Sequence, residues 1–339
     1  KISENIYFIF LSKNLIIYSI YFFSSYFFCK TNNIKIILFL ILLLCPIIIP
    51  YNFHVSLSIF FADNLIAILL PSLFFLTLIK SNKKFLYIAF LIFILYLTKS
   101  SMFFISIFIP LMFILLIDKN KIIKFLPLLG LLLAIFSWGY FGITKANIFP
   151  FGKNIISHNS WMMNNVVLNK EFLNYYPYKS VDLIPRNFII QNRNKMSESE
   201  IVKIYNQENS KFLKKNFPFF MEGVFVKLKF IFFNIKKNGS QPDKQNNYDN
   251  SIMFSLLLNK IILNLAYFYS LFCIIKNFRN KKFSVFINQS QLEIIYFIIV
   301  NLNIIPHLYG WATSKHIVGI ITLSSIFLLL KLSKKKFYI

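Results

Sequence analysis

Arginine and acid are scarce in this chain. Of its 37 Lys and Arg only three are Arg, and only 12 of its 339 residues are Asp or Glu. The formal charge of +25 resembles that of a nucleic-acid binder, but Ile, Phe and Asn are abundant too. An AT-rich genome accounts for part of the lysine excess and membrane topology for the rest, so no nucleic-acid partner is implied. Cysteine is equally sparse. Cys29, Cys45 and Cys273 all lie in apolar runs, which excludes a disulfide framework and a cysteine metal site. There is no P-loop, zinc ligand set, dinucleotide fingerprint or Ser-His-Asp arrangement. Apart from Lys260, charge is nearly absent from the apolar runs. That scarcity counts against an ion-coupled transporter, whose pathway needs intramembrane acids or bases.

Apolar residue is what the chain has in plenty. Hydrophobic residues are 57% and aromatics 19%, more than a soluble core can hide but an amount that lipid solvates. The reading is an all-α polytopic membrane protein. Its crossings are expected at 15–29, 34–50, 62–79, 85–97, 102–117, 122–141, 252–275, 292–306 and 317–331, about nine in all. The loops 30–35, 80–84, 118–124 and 276–291, with the tail from 331, carry sixteen Lys and Arg, whereas 51–61, 98–101 and 307–316 carry only Lys99 and Lys315. By the positive-inside rule the lysine-rich loops face the cytoplasm. Residues 1–141 then form six crossings, 142–251 an exterior segment of mixed structure, and 252–339 the last three crossings.

Within the exterior segment, which Gly139 and Gly142 introduce, Ser197 and Glu200 form a capping box. Asn216-Phe217-Pro218 is expected to end that helix and to start another, over 218–235, lying in the outer membrane interface. A crossing there would strand Glu222, Lys227 and Lys229 in lipid. The first residue is Lys1 and no cleavable signal pattern follows, so the chain is expected to be an N-terminally truncated piece of a longer protein.

Polar residues at the exterior face are the candidates for chemistry. Asp63, at the outer mouth of its helix, is either an N-cap that suits the helix dipole or a functional carboxylate. Lys99 either snorkels to the headgroups or meets an anionic ligand. His307, Lys315 and His316 share one short loop, where a Lys beside a His at a helix start can bind a phosphate. Ser157 to Trp161 is a candidate sugar- or lipid-facing loop through His158 and Trp161.

Four stretches, in their order, resemble the bacterial GT-C integral-membrane glycosyltransferases, the branch with protein O-mannosyltransferases and aminoarabinose transferases. These are Cys45 to Asn64, which contains His54; Tyr96 to Ser101; Glu198 to Phe233; and His307 to Ile317. The resemblance implies a sugar carried on polyprenyl phosphate and moved to a lipid, glycan or protein acceptor at the periplasmic face of the bacterial inner membrane. It gives Asp63 a catalytic role and makes Lys315, His316 and Lys99 the binders of the donor phosphate. His307, His54, His158 and Trp161 become candidate substrate contacts. It implies no metal ligand set and leaves a divalent metal open as cofactor. Two departures stand out: Lys315-His316 replaces the family's Arg-Tyr, and no Pro follows Thr98-Lys99. The family's principal catalytic Asp sits in a first exterior loop that falls upstream of residue 1. The alternatives are a polysaccharide polymerase or ligase of the O-antigen type, and a transporter or flippase.

Overall fold

The computed structural model describes residues 2–52, 62–79, 81–99, 102–116, 122–146, 191–192, 195–233, 250–280, 286, 290–309 and 317–333. Among these residues the chain is all helix. The helices are α1 (Ile2–Thr31), α2 (Ile36–Asn52), α3 (Ala62–Leu78), α4 (Lys84–Thr98), α5 (Phe103–Leu116), α6 (Leu126–Ala146, entered through a 3-10 turn at Ile122–Phe125), α7 (Glu198–Phe233), α8 (Asn250–Asn280), α9 (Gln291–Tyr309) and α10 (Val318–Leu332). Each of the nine apolar runs is helical. Among the described residues three stretches, Ile122–Thr144, Leu257–Arg279 and Gln291–Leu308, are both long and apolar enough to cross a membrane.

Helices α3 and α10 are the centre. From Leu65 to Ile79 every side chain of α3 is buried, and α10 is buried over most of its circumference. A helix apolar on all sides has no face to give to water, so it takes the interior. Around this pair lie α1, α2, α4, α8 and α9, with α5 and α6 beyond them against α4 and α9. The outer helices turn large apolar side chains outward, among them Phe23, Ile36, Phe136 and Phe272. Water would drive such a surface to associate, whereas lipid solvates it. Hydroxyls inside the helices bond their own backbone, as Ser72 does to the Ile68 carbonyl at 2.8 Å and Thr322 to that of Val318 at 3.0 Å.

At two glycines neighbouring helices approach closely. A Cβ on Gly130 of α6 would stand 2.1 Å from the Ala89 carbonyl oxygen of α4, so the two backbones touch. A Cβ on Gly319 of α10 would stand 2.8 Å from Ile66 Cγ2 and 3.0 Å from Leu70 Cδ1 of α3.

The stretch 85–117 is two helices, broken between Thr98 and Phe103 as the lysine positions require. Three expectations are corrected. Helix α6 runs through Gly139 and Gly142 to Ala146, and α1 starts at Ile2, well before residue 15. Helix α7 does not stop at Pro218 but runs through it, 36 residues from Glu198 to Phe233. Proline frees the carbonyl four residues back, and that residue, Lys214, is exposed, so solvent can satisfy it.

The last turns of α7 also do not lie flat along an outer surface. Lys227 sits beside Leu308 at the end of α9, with its Nζ 2.5 Å from that carbonyl. Five residues on, the Phe232 ring lies 5.0 Å from that of Tyr267. The Tyr267 hydroxyl donates to Asn301 at 3.0 Å, and its ring lies 5.1 Å from Phe297. Leu308 and Phe297 are about 16 Å apart along a helix. Over its described length helix α7 therefore packs into the bundle between α8 and α9.

Candidate functional site

The bundle has two chemically distinct ends. At one, Glu293 of the first turn of α9 pairs with Lys331 of the last turn of α10. Each charge suits the dipole of its own helix. At the same end Lys84 Nζ donates to the Thr77 carbonyl at 3.4 Å, and Lys124 Nζ to that of Ile114 at 3.3 Å. The final carbonyls of a helix have no partner within it, and these lysines supply donors from a neighbouring helix.

The opposite end carries two of the candidate residues, Lys99 and His307. The turn joining α4 to α5 is closed by the Lys99 amide on the Leu95 carbonyl at 3.4 Å and the Met102 amide on the Lys99 carbonyl at 2.9 Å. Lys99 itself is half-buried, with extended backbone. Met102 is fully buried, and its sulfur accepts from Asn303 Nδ2 of α9 at 3.9 Å. One turn further along α9 is His307, also buried, followed by Leu308 with Lys227 on its carbonyl. The turn at Lys99, the end of α9 with His307, and Lys227 of α7 thus lie at one end of the bundle.

The same end holds the starts of α3 and α10. Gly319 against Ile66 and Leu70 fixes the first turn of α10 beside the first turns of α3. Lys315 and His316 immediately precede α10, and Asp63 is three residues before Ile66. The described part of α3 starts at Ala62, and Asp63 is helical within it. The side chain of Asp63, and the whole of His54, His158, Trp161, Lys315 and His316, lie outside the described residues. Among the described residues no three His, Cys, Asp or Glu gather into a metal site.

Lys227, Met102 and Asn303 did not stand out in the sequence as site residues. A signal existed for Asn303: an amide within the run Asn301-Leu302-Asn303-Ile304-Ile305 must find a partner inside the bundle. Its Oδ1 is buried and without a partner, as is Ser106 Oγ, one turn beyond Met102 on α5. Lys227 gave no such signal, because its acceptor is 81 residues away.

The capping box at the start of α7 is formed as its sequence spells it. The Ser197 amide donates to Glu200 Oε2 at 2.8 Å, and the Ser197 hydroxyl does so at 2.9 Å. The Glu200 amide returns a bond to Ser197 Oγ at 3.4 Å. The bond from the Ser197 backbone, then that from its hydroxyl, holds the Glu200 carboxyl below its ordinary range.

No family model matches this chain, and no curated protein or solved structure matches it.

Proposed function

We propose that this is a polytopic membrane glycosyltransferase of nine crossings, which moves a sugar from a polyprenyl-phosphate donor to a lipid, glycan or protein acceptor. Transfer takes place at the exterior face of a bacterial inner membrane, the face that carries Asp63. The observation that carries the reading is convergence. Residues in or beside four stretches far apart in sequence pack at one end of the bundle: Ile66, just beyond Asn64, against Gly319; Met102, just beyond Ser101, beside Asn303; and Lys227 of α7 on Leu308, next to His307. The short loops expected on that face, 51–61, 98–101 and 307–316, carry only Lys99 and Lys315, which singles those two out.

The chemistry asks for two things. The leaving phosphate needs fixed cations, and Lys315, His316 and Lys99 supply them. The acceptor hydroxyl needs a base or a positioned carboxylate, and Asp63 serves there. Asn303 and Ser106 line the adjoining α5–α9 interface with unused hydrogen-bonding capacity. A flippase would need cations facing a central path. The buried lysines Lys84, Lys227 and Lys260 instead each end on a backbone carbonyl.

The test is sugar transfer from a labelled polyprenyl-phosphate donor by the full-length protein in proteoliposomes. Asp63→Asn keeps the size and removes the charge, and should lower the rate by about 10²-fold. Lys315→Ala should raise the apparent KM for the donor by at least about tenfold, and Lys315→Arg by less. Full transfer by Asp63→Asn, with an unchanged KM in Lys315→Ala, would overturn the reading.

A further inference from the structure

A groove runs along the outside of the bundle between α1, α3 and α4, at the end opposite Asp63. Leu15, Phe23 and Phe27 of α1, Leu76 of α3, and Tyr87 and Phe90 of α4 form its walls, and its volume is about 650 Å³. The lining is apolar apart from the Tyr87 hydroxyl and two serines, and the Ser24 hydroxyl is already given to the Ile20 carbonyl at 2.6 Å. At its inner limit the Phe27 and Tyr87 rings stack at 6.3 Å. Lys30 lies three residues beyond Phe27, and Lys83 four residues before Tyr87. The two helices run in opposite directions, so both lysines fall just past the same stacked pair, one from each wall. Both are exposed.

An apolar slot that ends between two exposed cations has the charge pattern of a phospholipid: chain in the slot, phosphate at the mouth. We propose that this groove holds an acyl chain of an anionic phospholipid of the inner leaflet, with its phosphate between Lys30 and Lys83. The lysine-rich loops put this end at the cytoplasmic surface, where anionic lipid collects. Two cations held about one helical turn beyond a fixed aromatic pair favour an anionic headgroup over a zwitterionic one. A chain shielded from the bulk bilayer on three sides exchanges slowly. The proposal rests on the membrane reading alone and does not depend on sugar transfer.

The experiment is lipid retention, read by native mass spectrometry of the full-length protein taken from vesicles of equal phosphatidylglycerol and phosphatidylcholine. The expected result is one phosphatidylglycerol retained in preference to phosphatidylcholine by at least about tenfold. Lys30→Gln combined with Lys83→Gln should abolish the preference without changing the melting temperature in pure phosphatidylcholine, since both side chains are exposed. Ser19→Phe, which fills the slot from α1, should lower retention of phosphatidylglycerol with both lysines intact. Equal retention of the two lipids would overturn the proposal, and so would undiminished retention in Ser19→Phe. Cross-linking between two copies through a cysteine at Phe23 in phosphatidylcholine would assign the groove to a second copy instead.

Discussion

Lys260 of α8 donates to the backbone carbonyl of Phe230, at 2.9 Å, and also to that of Ile231. The Asn264 amide takes the next carbonyl, Phe232, at 2.8 Å. Phe230, Ile231 and Phe232 of α7 are buried, and a buried carbonyl without a donor costs about 1–3 kcal/mol. The main charge in an otherwise apolar crossing is therefore a donor to buried carbonyls of α7. Lys260→Met removes that donor and should lower the melting temperature in detergent. A cysteine at Ile231, which is buried, should also become reactive to a water-soluble maleimide. Lys260→Arg should restore part of the loss. Unchanged melting and protection in Lys260→Met would mean that α7 does not depend on this bond.

The two close glycines separate backbone from side-chain contact. At Gly130 the obstacle is the Ala89 carbonyl, which cannot move without its helix. At Gly319 the obstacles are the ends of Ile66 and Leu70, which can change rotamer. Overpacking of this kind costs about 1–3 kcal/mol, more when backbone must shift. Gly130→Ala should be the more damaging by thermal unfolding in detergent. The reverse order would contradict the α4–α6 contact.

The capping box predicts a pH dependence of known sign. The Glu200 carboxyl is held below its unfolded value, so its contribution is present above the unfolded carboxylate range and fades as pH falls through the folded value. Hydrogen exchange in the first turn of α7 should rise on acidification below about pH 5 once the intrinsic rate is divided out. Glu200→Gln should remove that dependence. Ser197→Ala should weaken the cap at all pH values, by about 0.5–2 kcal/mol. An acid-insensitive first turn in the unaltered protein would contradict the bond.

What could be read in the sequence was what is local. Nine apolar runs became helices because run length and missing charge are properties of consecutive residues. The Ser197–Glu200 box was legible for the same reason. Pro218 does not end its helix although a proline removes a hydrogen bond and crowds the carbonyl four residues back; that Lys214, which carries this carbonyl, is exposed is a fact of the fold. Lys227 looked like a reason to keep residues 218–235 at the surface. Its acceptor, Leu308, is a carbonyl on another helix, and no pattern near Lys227 announces it. At the candidate site the sequence placed Lys99 and His307 on one membrane side. That Met102 and Asn303 join their two helices came only with the packing.

The account rests on the Asp63 end being where a lipid phosphate binds, and photo-crosslinking tests this most directly. A photoreactive polyprenyl-phosphate analogue would be activated on the full-length protein in proteoliposomes and its adducts mapped by mass spectrometry. The predicted result is labelling within residues 96–102 and 303–316, displaced by unlabelled polyprenyl phosphate and reduced in Lys315→Ala. Labelling no greater than that by the uncharged polyprenol, or confined to the end that carries Lys84, Lys124 and Lys331, would contradict it.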